Sequence, residues 1–348
     1  MTNDRPLVRD FDESQLLATI FPLLPTNAYV QVGSGDDCAV ITAPNNQFVV
    51  STDILIENQH FKRNWSTGSD VGWRAAMQNL ADIAAMGAVP TSVVLALGLP
   101  GDLEVAWVHD FYRGFIDACK TVGAAIVGGD LSASAVVTVA VTVHGDMQSI
   151  PPVLRSGARP GDVVAHSGNL GWSAAGLALL SAGHAAPKVE HQTYPSGPSA
   201  APSMDPVTRA ISLFLRPQPV LTLGPVAARA GATALMDVSD GLLRDAGRIA
   251  AASNVGIDLA LSTAYPKDRE HLETVAETLG QEPQAQASLW RLSGGEDHGL
   301  FATFPNSDAV PHGFAVIGTV RAVVTGQPRI TIDGKSAAGL SQGWDHFR

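Results

Sequence analysis

The sequence predicts a mixed α/β protein with two α/β domains, at residues 1–150 and 151–348. The length of 348 residues suits two domains of ordinary size. Hydrophobic residues make up 45% of the chain and charged residues only 16%, a balance that excludes a disordered chain and a coiled coil. Runs of β-formers alternate with segments of helical periodicity in both halves. The turn-rich segment RSGARPGDVVAHSG indicates a domain junction near residues 150–161.

The first strand and helix of interest carry polar residues. The run FVVSTDILI is rich in β-formers and predicts a strand with Ser51, Thr52 and Asp53 at its end. A helix is predicted from residue 69 or 70 to about residue 86, because a glycine and then a proline follow it. Asp82 lies inside this apolar helix, so its carboxylate must face water, a partner or a metal.

The remaining elements follow the same patterns. The first half continues with a strand TSVVLALGL, a helix over residues 105–119, a strand AAIV that leads into Gly128, Gly129 and Asp130, and a strand VVTVAVTV. The second half contains a strand ALMDV that leads into acids, a helix GLLRDAGRIAAAS, a strand IDLALS and a helix HLETVAETLG. Residues 182–206 are rich in Pro, Ser, Ala and Gly without periodicity and predict a surface loop.

Charge and composition narrow the class of protein. The net charge of -11 makes a nucleic-acid partner improbable, because phosphate backbones bind basic surfaces. The sequence has neither a long apolar run nor a basic-then-apolar beginning, so we expect a cytoplasmic protein without a membrane partner. Its two cysteines, Cys38 and Cys119, are too few for a disulfide framework or a structural zinc site.

Acidic residues stand beside glycines or at predicted strand ends, in GSGDDCAV, STDIL, GGD, MDVSDG and SGGED. Oxygen ligands from several aspartates suit Mg²⁺, and an acidic cleft can bind ATP only if two or more metal ions bridge carboxylates and phosphates. Two alternatives stay open: Asp130 and Asp240 equally fit simple turn formers, and His60 equally fits a histidine satisfied at a strand end.

The sequence lacks the motifs of three common enzyme classes. The Walker motif G-x-x-x-x-G-K-[ST] is missing, GSGDDC lacks the third glycine of a dinucleotide fingerprint, and there is no G-x-S-x-G elbow. The sequence therefore argues against a Walker-type kinase, a dehydrogenase and a serine hydrolase.

Eight motifs in order resemble those of the thiamine-monophosphate kinase family, from about residue 33 to residue 347. They are GSGDDCAV, STDILIENQHF, NLADIAAMGAVP, GGD, RSGARPGD, MDVSDGL, SGGED and GWDHF. That family is related to aminoimidazole-ribonucleotide synthetase, selenophosphate synthetase and a hydrogenase-maturation dehydratase. The resemblance implies two α/β domains and a homodimer in which the N-terminal sheets form a shared barrel.

The resemblance also implies a reaction and a set of site residues. The reaction is ATP-dependent phosphorylation of thiamine monophosphate to thiamine diphosphate by direct in-line transfer. It uses several Mg²⁺ ions, and the need for a monovalent cation stays open. The implied metal ligands are Asp37, Ser51, Thr52, Asp53, Asp82, Asp130, Asp237 and Asp240, with Ser51 and Thr52 acting through hydroxyl or backbone oxygens. Those implied at ATP are Tyr112, Gly129, Asp130, Arg155 and Ser239, and those at thiamine monophosphate are His60, Glu296 and Trp344. The resemblance also implies a catalytic role for four of these residues, Asp53, Asp82, Asp130 and Asp237.

The sequence departs from the family at two places and leaves two rival functions. Leu131-Ser132 stand where the family commonly has two threonines, and His298-Gly299 where an aromatic residue and Glu are usual. One rival is another ATP-dependent enzyme of the superfamily, although the first cysteine is Cys38 and the chain ends GWDHFR, without the cysteines that two of those relatives require. The other rival is a protein that binds Mg²⁺ or nucleotide without catalysis.

Overall fold

The computed structural model describes residues 6–33, 39–186, 204–261 and 264–337, together with residues 340 and 343. The chain divides into two units, and the mixed α/β class predicted from the sequence is confirmed. Unit 1 comprises Met1–Ile83 and Ala88–Ser149, and unit 2 comprises Ala84–Gly87 and Ile150–Arg348. No helix within the described ranges has both the length and the hydropathy of a membrane span.

Among its described residues, unit 1 contains a four-stranded sheet, a separate hairpin and three α-helices. The strands are β1 (Val30–Val32), β2 (Val40–Ile41), β3 (Val49–Ile56), β4 (Val89–Leu99), β5 (Ala125–Ala133) and β6 (Thr138–Asp146). The helices are α1 (Glu13–Ile20), α2 (Gly68–Ala85), whose last residues are grouped with unit 2, and α3 (Val105–Lys120). β1 and β2 form the hairpin, and the sheet has the order β3-β6-β4-β5. Only β4 and β5, which α3 connects, run parallel, as a helical crossover requires.

The two faces of this sheet differ in exposure. Along β6, Val139, Val141 and Val143 are buried, while the residues between them are half-exposed, because successive side chains point to opposite faces. On the edge strand β3, the open face carries Val50 and Ile54, which are 57% and 50% exposed. A single chain therefore leaves an apolar sheet face in contact with water.

Two predicted strand ends in unit 1 are wrong. Ser51, Thr52 and Asp53 lie inside β3, and Gly128, Gly129 and Asp130 lie inside β5, which continues to Ala133. The polar residues fit because β3 is an edge strand, and β5 continues because the long strand β4 pairs with it as far as Leu99 and Ala133. The predicted helices over α2 and α3 are confirmed.

Unit 2 contains a seven-stranded sheet and six α-helices among its described residues. The strands are β7 (Val163–Ser167), β8 (Ala234–Val238), β9 (Gly256–Leu259), β10 (Gly299–Phe304), β11 (Ala315–Arg321), β12 (Ile330–Ile332) and β13 (Lys335–Ser336). The helices are α4 (Trp172–Ser181), α5 (Pro206–Leu215), α6 (Leu223–Arg229), α7 (Leu242–Ala252), α8 (Pro266–Thr278) and α9 (Pro283–Ser293). The sheet order is β13-β12-β9-β11-β7-β10-β8, with only the β9–β12 pair parallel. The predicted strand β8 and helix α7 are confirmed, whereas α8 begins five residues before its predicted start at residue 271 and β9 is shorter than predicted.

Helix α7 packs on the unit 2 sheet through one apolar stripe. Leu242, Ala246 and Ile249 recur at spacings of three and four residues and are fully buried against strand residues such as Met236 and Ile257. This packing fixes the start of α7, which follows directly on the acidic turn after β8.

The strand register places the polar turns of unit 2 at one edge of the sheet. Leu300 of β10 lies opposite Ser167 at the end of β7 and opposite Asp237 near the end of β8. The segment before β10 therefore adjoins the turn after β8. At the other edge of the same strands, Asp162 accepts hydrogen bonds from Arg159 N and Thr233 Oγ1, at 2.8 and 2.6 Å.

His166 of β7 is a fully buried histidine that folding keeps neutral. Tyr265 Oη donates to the His166 carbonyl at 2.7 Å and lies 2.9 Å from Nδ1, so we assign the ring proton to Nδ1. Its Nε2 meets no hydrogen-bond partner among the described residues. Burial, with a smaller contribution from Arg291, lowers the pKa of His166 to about 3.

We predict that His166 makes the protein lose stability in acid. Between its folded pKa of about 3 and its ordinary value of 6.5, the unfolded chain binds one proton more than the folded chain. The contribution is complete above pH 6.5 and is lost as the pH falls toward 3, on the order of 5 kcal/mol in all. Melting temperatures of His166→Asn, which keeps a donor near Tyr265, should fall less between pH 7 and pH 4.5 than those of the wild type.

The exposed His312 provides the control. We expect His312→Asn to follow the wild-type pH dependence. Parallel melting curves for His166→Asn and the wild type across this pH range would show that His166 does not titrate on unfolding.

Candidate active site

Strand β3 and helix α2 bring three of the predicted metal ligands together in unit 1. Ser51 and Asp53 are two residues apart in β3, so their side chains lie on the same face of the strand, the face that meets α2. Ser51 Oγ donates to Asp82 Oδ2 at 2.6 Å. Asp53 Oδ2 accepts a hydrogen bond from Gln78 Nε2 at 3.1 Å. Both carboxylates are half-buried, so their charge is partly removed from water while remaining accessible.

Two amide side chains of α2 organise this cluster. Asn79 Oδ1 accepts from Asp53 N at 3.1 Å, and Asn79 Nδ2 donates to Ala75 O at 2.8 Å. Gln78 and Asn79 stand four and three residues before Asp82, so both lie on the side of the helix that carries Asp82. Only Asp82 of this face is predicted from the sequence as a site residue, although the spacing of three and four residues is also a signal for Gln78 and Asn79.

The donors of this cluster fit a hard divalent cation. Ser51, Asp53 and Asp82 supply only oxygen atoms, which Mg²⁺ prefers, and the two hydrogen bonds described above come from neutral groups. Across the described part of the chain, no three His, Cys, Asp or Glu side chains form a metal-binding group. A cation here would therefore complete its shell with water and phosphate oxygens, as Mg²⁺ usually does.

One of the two oxygen atoms predicted as a ligand from Thr52 lies away from this cluster. Its side chain lies on the opposite face of β3 from Ser51 and Asp53, where Thr52 Oγ1 donates to Val141 O at 2.9 Å. The alternation of a strand thus excludes its hydroxyl from the Asp53 and Asp82 cluster, and only its backbone oxygen stays a candidate ligand.

Gly129 and Asp130 lie side by side in β5. The Asp130 carboxylate is exposed and accepts from Ser132 Oγ at 2.8 Å. A Cβ atom at Gly129 would collide with the Leu95 carbonyl of the neighbouring strand, so only glycine fits there. The structure thus gives Gly129 a packing role, and ATP contact by either residue stays a prediction.

Two further predicted contacts of unit 1 have defined surroundings. Tyr112 of α3 is only 5% exposed, its ring stands edge-on to Phe111, and burial raises its pKa. A contact between this ring and ATP stays a prediction. His60 Nδ1 accepts from Ile56 N at 2.9 Å, which leaves the Nε2 edge of the ring as the donor in the neutral tautomer.

In unit 2, the turn after β8 carries Asp237, Ser239 and Asp240. Asp240 Oδ2 accepts from Arg248 NH2 at 2.6 Å, and Arg248 NH1 donates to Asp245 Oδ1 at 2.6 Å. Asp245 Oδ2 in turn accepts from Asp240 N at 3.1 Å. One arginine thus holds the turn and the first turns of α7 together.

Arg248 interacts with two carboxylates of this turn, Asp240 and Asp245. Asp245 is fully buried, and burial raises its pKa to about 6 against the opposing effect of Arg248. Asp240 shares its Oδ2 with an arginine, so a cation at that oxygen would compete with Arg248. Arg248 and Asp245 are not among the residues predicted from the sequence, although their spacing of three in a helical segment is a signal for an ion pair.

The segment before β10 lies against this turn. His298 Nδ1 is 3.4 Å from Asp237 Oδ2, and both side chains are buried. The neighbouring Asp297 is buried as well, and burial raises its pKa to about 6 against the opposing hydrogen bonds from Ser173 N and Gly171 N. His298, which replaces the aromatic residue usual in the family, therefore contacts a predicted metal ligand.

The remaining predicted residues are exposed or lie outside the described part of the chain. Arg155 has an exposed side chain, and its carbonyl accepts from Ser253 Oγ at 2.7 Å. Asp37, Trp344 and residues 187–203 of the predicted surface loop lie outside the described residues. Their roles stay predictions.

Two family models match the chain. "AIR synthase related protein, N-terminal domain" matches residues 35–147, and "AIR synthase related protein, C-terminal domain" matches residues 159–289. Both matches fall in the same order as the two units.

Known proteins resemble the chain over nearly its whole length. A thiamine-monophosphate kinase of Mycobacterium tuberculosis is 41% identical over 92% of this chain and 87% of its own length. The crystal structure of thiamine-monophosphate kinase from Stenotrophomonas maltophilia superposes with a TM-score of 0.73 at 30% identity, covering 93% of this chain and 96% of that one. A structure described as AaThiL complexed with AMPPCP and TMP gives a TM-score of 0.70 at 30% identity, over 99% and 100% of the two chains.

Arg248 should stabilise unit 2 more than its neighbour Arg244 does. We expect Arg248→Met to lower the free energy of unfolding by about 2–3 kcal/mol, below the usual cost of breaking a fully buried pair because the guanidinium is one-third exposed. Arg244→Met is the control, since Arg244 Nε is 3.9 Å from Asp240 Oδ2 and should contribute under about 1 kcal/mol. Denaturant unfolding measures both, and equal losses in the two variants would contradict the assignment.

Proposed function

The chain belongs to the thiamine-monophosphate kinase family, and we propose that it transfers the γ-phosphoryl group of ATP to thiamine monophosphate (TMP), giving thiamine diphosphate and ADP. The observation that carries this proposal is the 41% identity to a thiamine-monophosphate kinase over 92% of the chain. The likeness to a structure with AMPPCP and TMP supports both substrates.

The acidic residues of the two units are proposed to hold several Mg²⁺ ions. The residues are Ser51, Asp53, Asp82 and Asp130 of unit 1 and Asp237 and Asp240 of unit 2, with Asp37 and the backbone oxygen of Thr52 as further candidates. Bound Mg²⁺ supplies charge neutralisation for the phosphates. Gln78 and Asn79 keep Asp53 in place by the hydrogen bonds given above, and Ser51 does the same for Asp82.

Other residues of the chain are proposed to bind and orient the two substrates. Gly129, Asp130, Ser239, Arg155 and Tyr112 are the candidates at ATP, where the planar guanidinium of Arg155 suits phosphate oxygens. His60 would donate from Nε2 to TMP, because its Nδ1 already accepts from Ile56 N. Glu296 and Trp344 are the remaining candidates at TMP, and the indole ring suits the thiamine cation.

The transfer needs no strong general base. A phosphate oxygen of TMP is already anionic, so it forms the new bond to the γ-phosphorus while the bond from that phosphorus to the bridging oxygen of ADP breaks. We therefore propose a direct in-line transfer without a phosphoenzyme. Catalysis then consists of alignment and charge stabilisation by the residues listed above.

We also propose a homodimer and a cytoplasmic location. The exposed Val50 and Ile54 on the open face of the unit 1 sheet favour coverage by a second copy, as the resemblance to the family implies. The need for ATP is the reason to expect the enzyme in the cytoplasm.

The choice of acceptor tests the proposed function. We expect turnover that requires Mg²⁺ and TMP, with free thiamine phosphorylated at least about 100-fold more slowly. The reason is that acidic residues can bind the acceptor only through metal ions, and these ions bind a phosphate group that free thiamine lacks. The measurement is formation of thiamine diphosphate and ADP with each acceptor, with and without EDTA. Equal turnover of thiamine, or turnover unaffected by EDTA, would contradict the proposal.

The unit 1 cluster should be essential for the rate but not for the fold. We expect Asp53→Asn or Asp82→Asn to lower kcat at least about 100-fold, the usual effect of losing a principal electrostatic group, while the melting temperature changes little. Asp146→Asn is the matched control, since this buried carboxylate of the same sheet accepts from Tyr29 Oη and Gln148 N. Near-normal kcat in both cluster variants would return Asp53 and Asp82 to a structural role.

A further inference from the structure

The segment Gly294–His298 has a backbone that its side chains do not favour. Glu296 has φ of 68° and His298 has φ of 52°, both in the left-handed region that glycine normally occupies. Two such residues on either side of Asp297 persist only if surrounding contacts hold them. Glu296 is also the residue of this segment proposed to face TMP.

The carboxylate of Asp297 supplies the central contact. Its Oδ2 accepts from Gly171 N at 2.5 Å and its Oδ1 accepts from Ser173 N at 2.8 Å, so both oxygens are bound at the start of helix α4. Asp297 is 3% exposed, and the α4 N-terminus favours its negative charge. Because this site is buried, a variant that loses one of these two bonds leaves an α4 amide buried without an acceptor.

Further hydrogen bonds connect the same helix end and the β8 turn to Glu296. Ser173 Oγ donates to Glu296 O at 2.9 Å, and Glu296 N donates to Ser239 O at 2.7 Å. His298 N donates to Val238 O at 3.1 Å. Glu296 is thus fixed from both sides, by the α4 end that Asp297 grips and by the turn that carries Ser239.

We propose that Asp297 is a positioning residue of the acceptor site: by binding the N-terminus of α4 through both carboxylate oxygens, it holds Glu296 in the left-handed conformation that presents it to TMP. This inference rests on the proposed function. It adds a residue that acts through Glu296 and not by contact with either substrate.

Kinetics of Asp297→Asn provide the first test. Asparagine keeps the shape but turns an NH₂ group toward one of the two α4 amides, so one bond is lost. We expect KM for TMP to rise at least about tenfold and KM for ATP to change less than about threefold, since most proposed ATP contacts lie elsewhere. Wild-type turnover of TMP is measured in the same experiment, and its absence would reject the proposed function separately from the role of Asp297.

A double-mutant cycle with Glu296→Gln separates positioning from general damage. If Asp297 acts through Glu296, Asp297→Asn should raise the Kd for TMP, measured by calorimetry, less than about threefold once Glu296 is already Gln. Additive effects in the cycle would overturn the proposal. Should Asp297→Asn not fold, Ser173→Ala tests the same connection, because it removes the Ser173 Oγ bond to Glu296 O and leaves the Asp297 bonds in place.

Asp162→Asn is the matched control. This carboxylate is buried, accepts two hydrogen bonds and lies at the opposite edge of the same strands. We expect it to lower the melting temperature with both KM values unchanged. The proposal fails if Asp297→Asn, or Ser173→Ala in its place, leaves KM for TMP unchanged, or if Asp162→Asn raises that KM equally.

Discussion

The structure depends on how carboxylates withdrawn from water are matched by hydrogen-bond donors. A buried or half-buried carboxylate is stable only when such donors replace the lost water, and this chain uses three kinds. Asp53 and Asp82 accept from the neutral side chains of Gln78 and Ser51. Asp240 and Asp245 share Arg248, and Asp297 binds the backbone amides at the start of α4.

These three kinds of partner have different chemical consequences. The hydrogen bonds from Gln78 and Ser51 come from neutral groups and orient carboxylates whose oxygen atoms suit a hard cation. The guanidinium of Arg248 compensates Asp240 and so ties a predicted metal ligand to the stability of α7. The amides of α4 compensate Asp297 and hold the residue beside it. We therefore expect the type of hydrogen-bond partner, more than the number of acids, to decide how readily each carboxylate can bind a cation.

The sequence revealed the acids but not their partners. Asp82 was recognisable because a carboxylate inside an apolar helix requires an explanation, and the helix around it is confirmed. The predicted strand end at Asp53 is wrong because periodicity cannot show that β3 is an edge strand able to carry polar residues along its length. Two contacts depend on turn geometry, which side-chain patterns do not encode. They are the hydrogen bond between Arg248 and Asp240 and the hydrogen bonds of Asp297 with the start of α4, beside the positive φ of Glu296.

We expect the acidic residues to bind ATP only together with Mg²⁺. Calorimetric titration of the wild-type protein with AMPPCP, in Mg²⁺ and then in EDTA, tests it most directly, because no turnover is involved. We expect AMPPCP to bind the protein at least about 100-fold more tightly in Mg²⁺ than in EDTA, since carboxylates without a metal ion repel the triphosphate group. Equal affinity under the two conditions would contradict it.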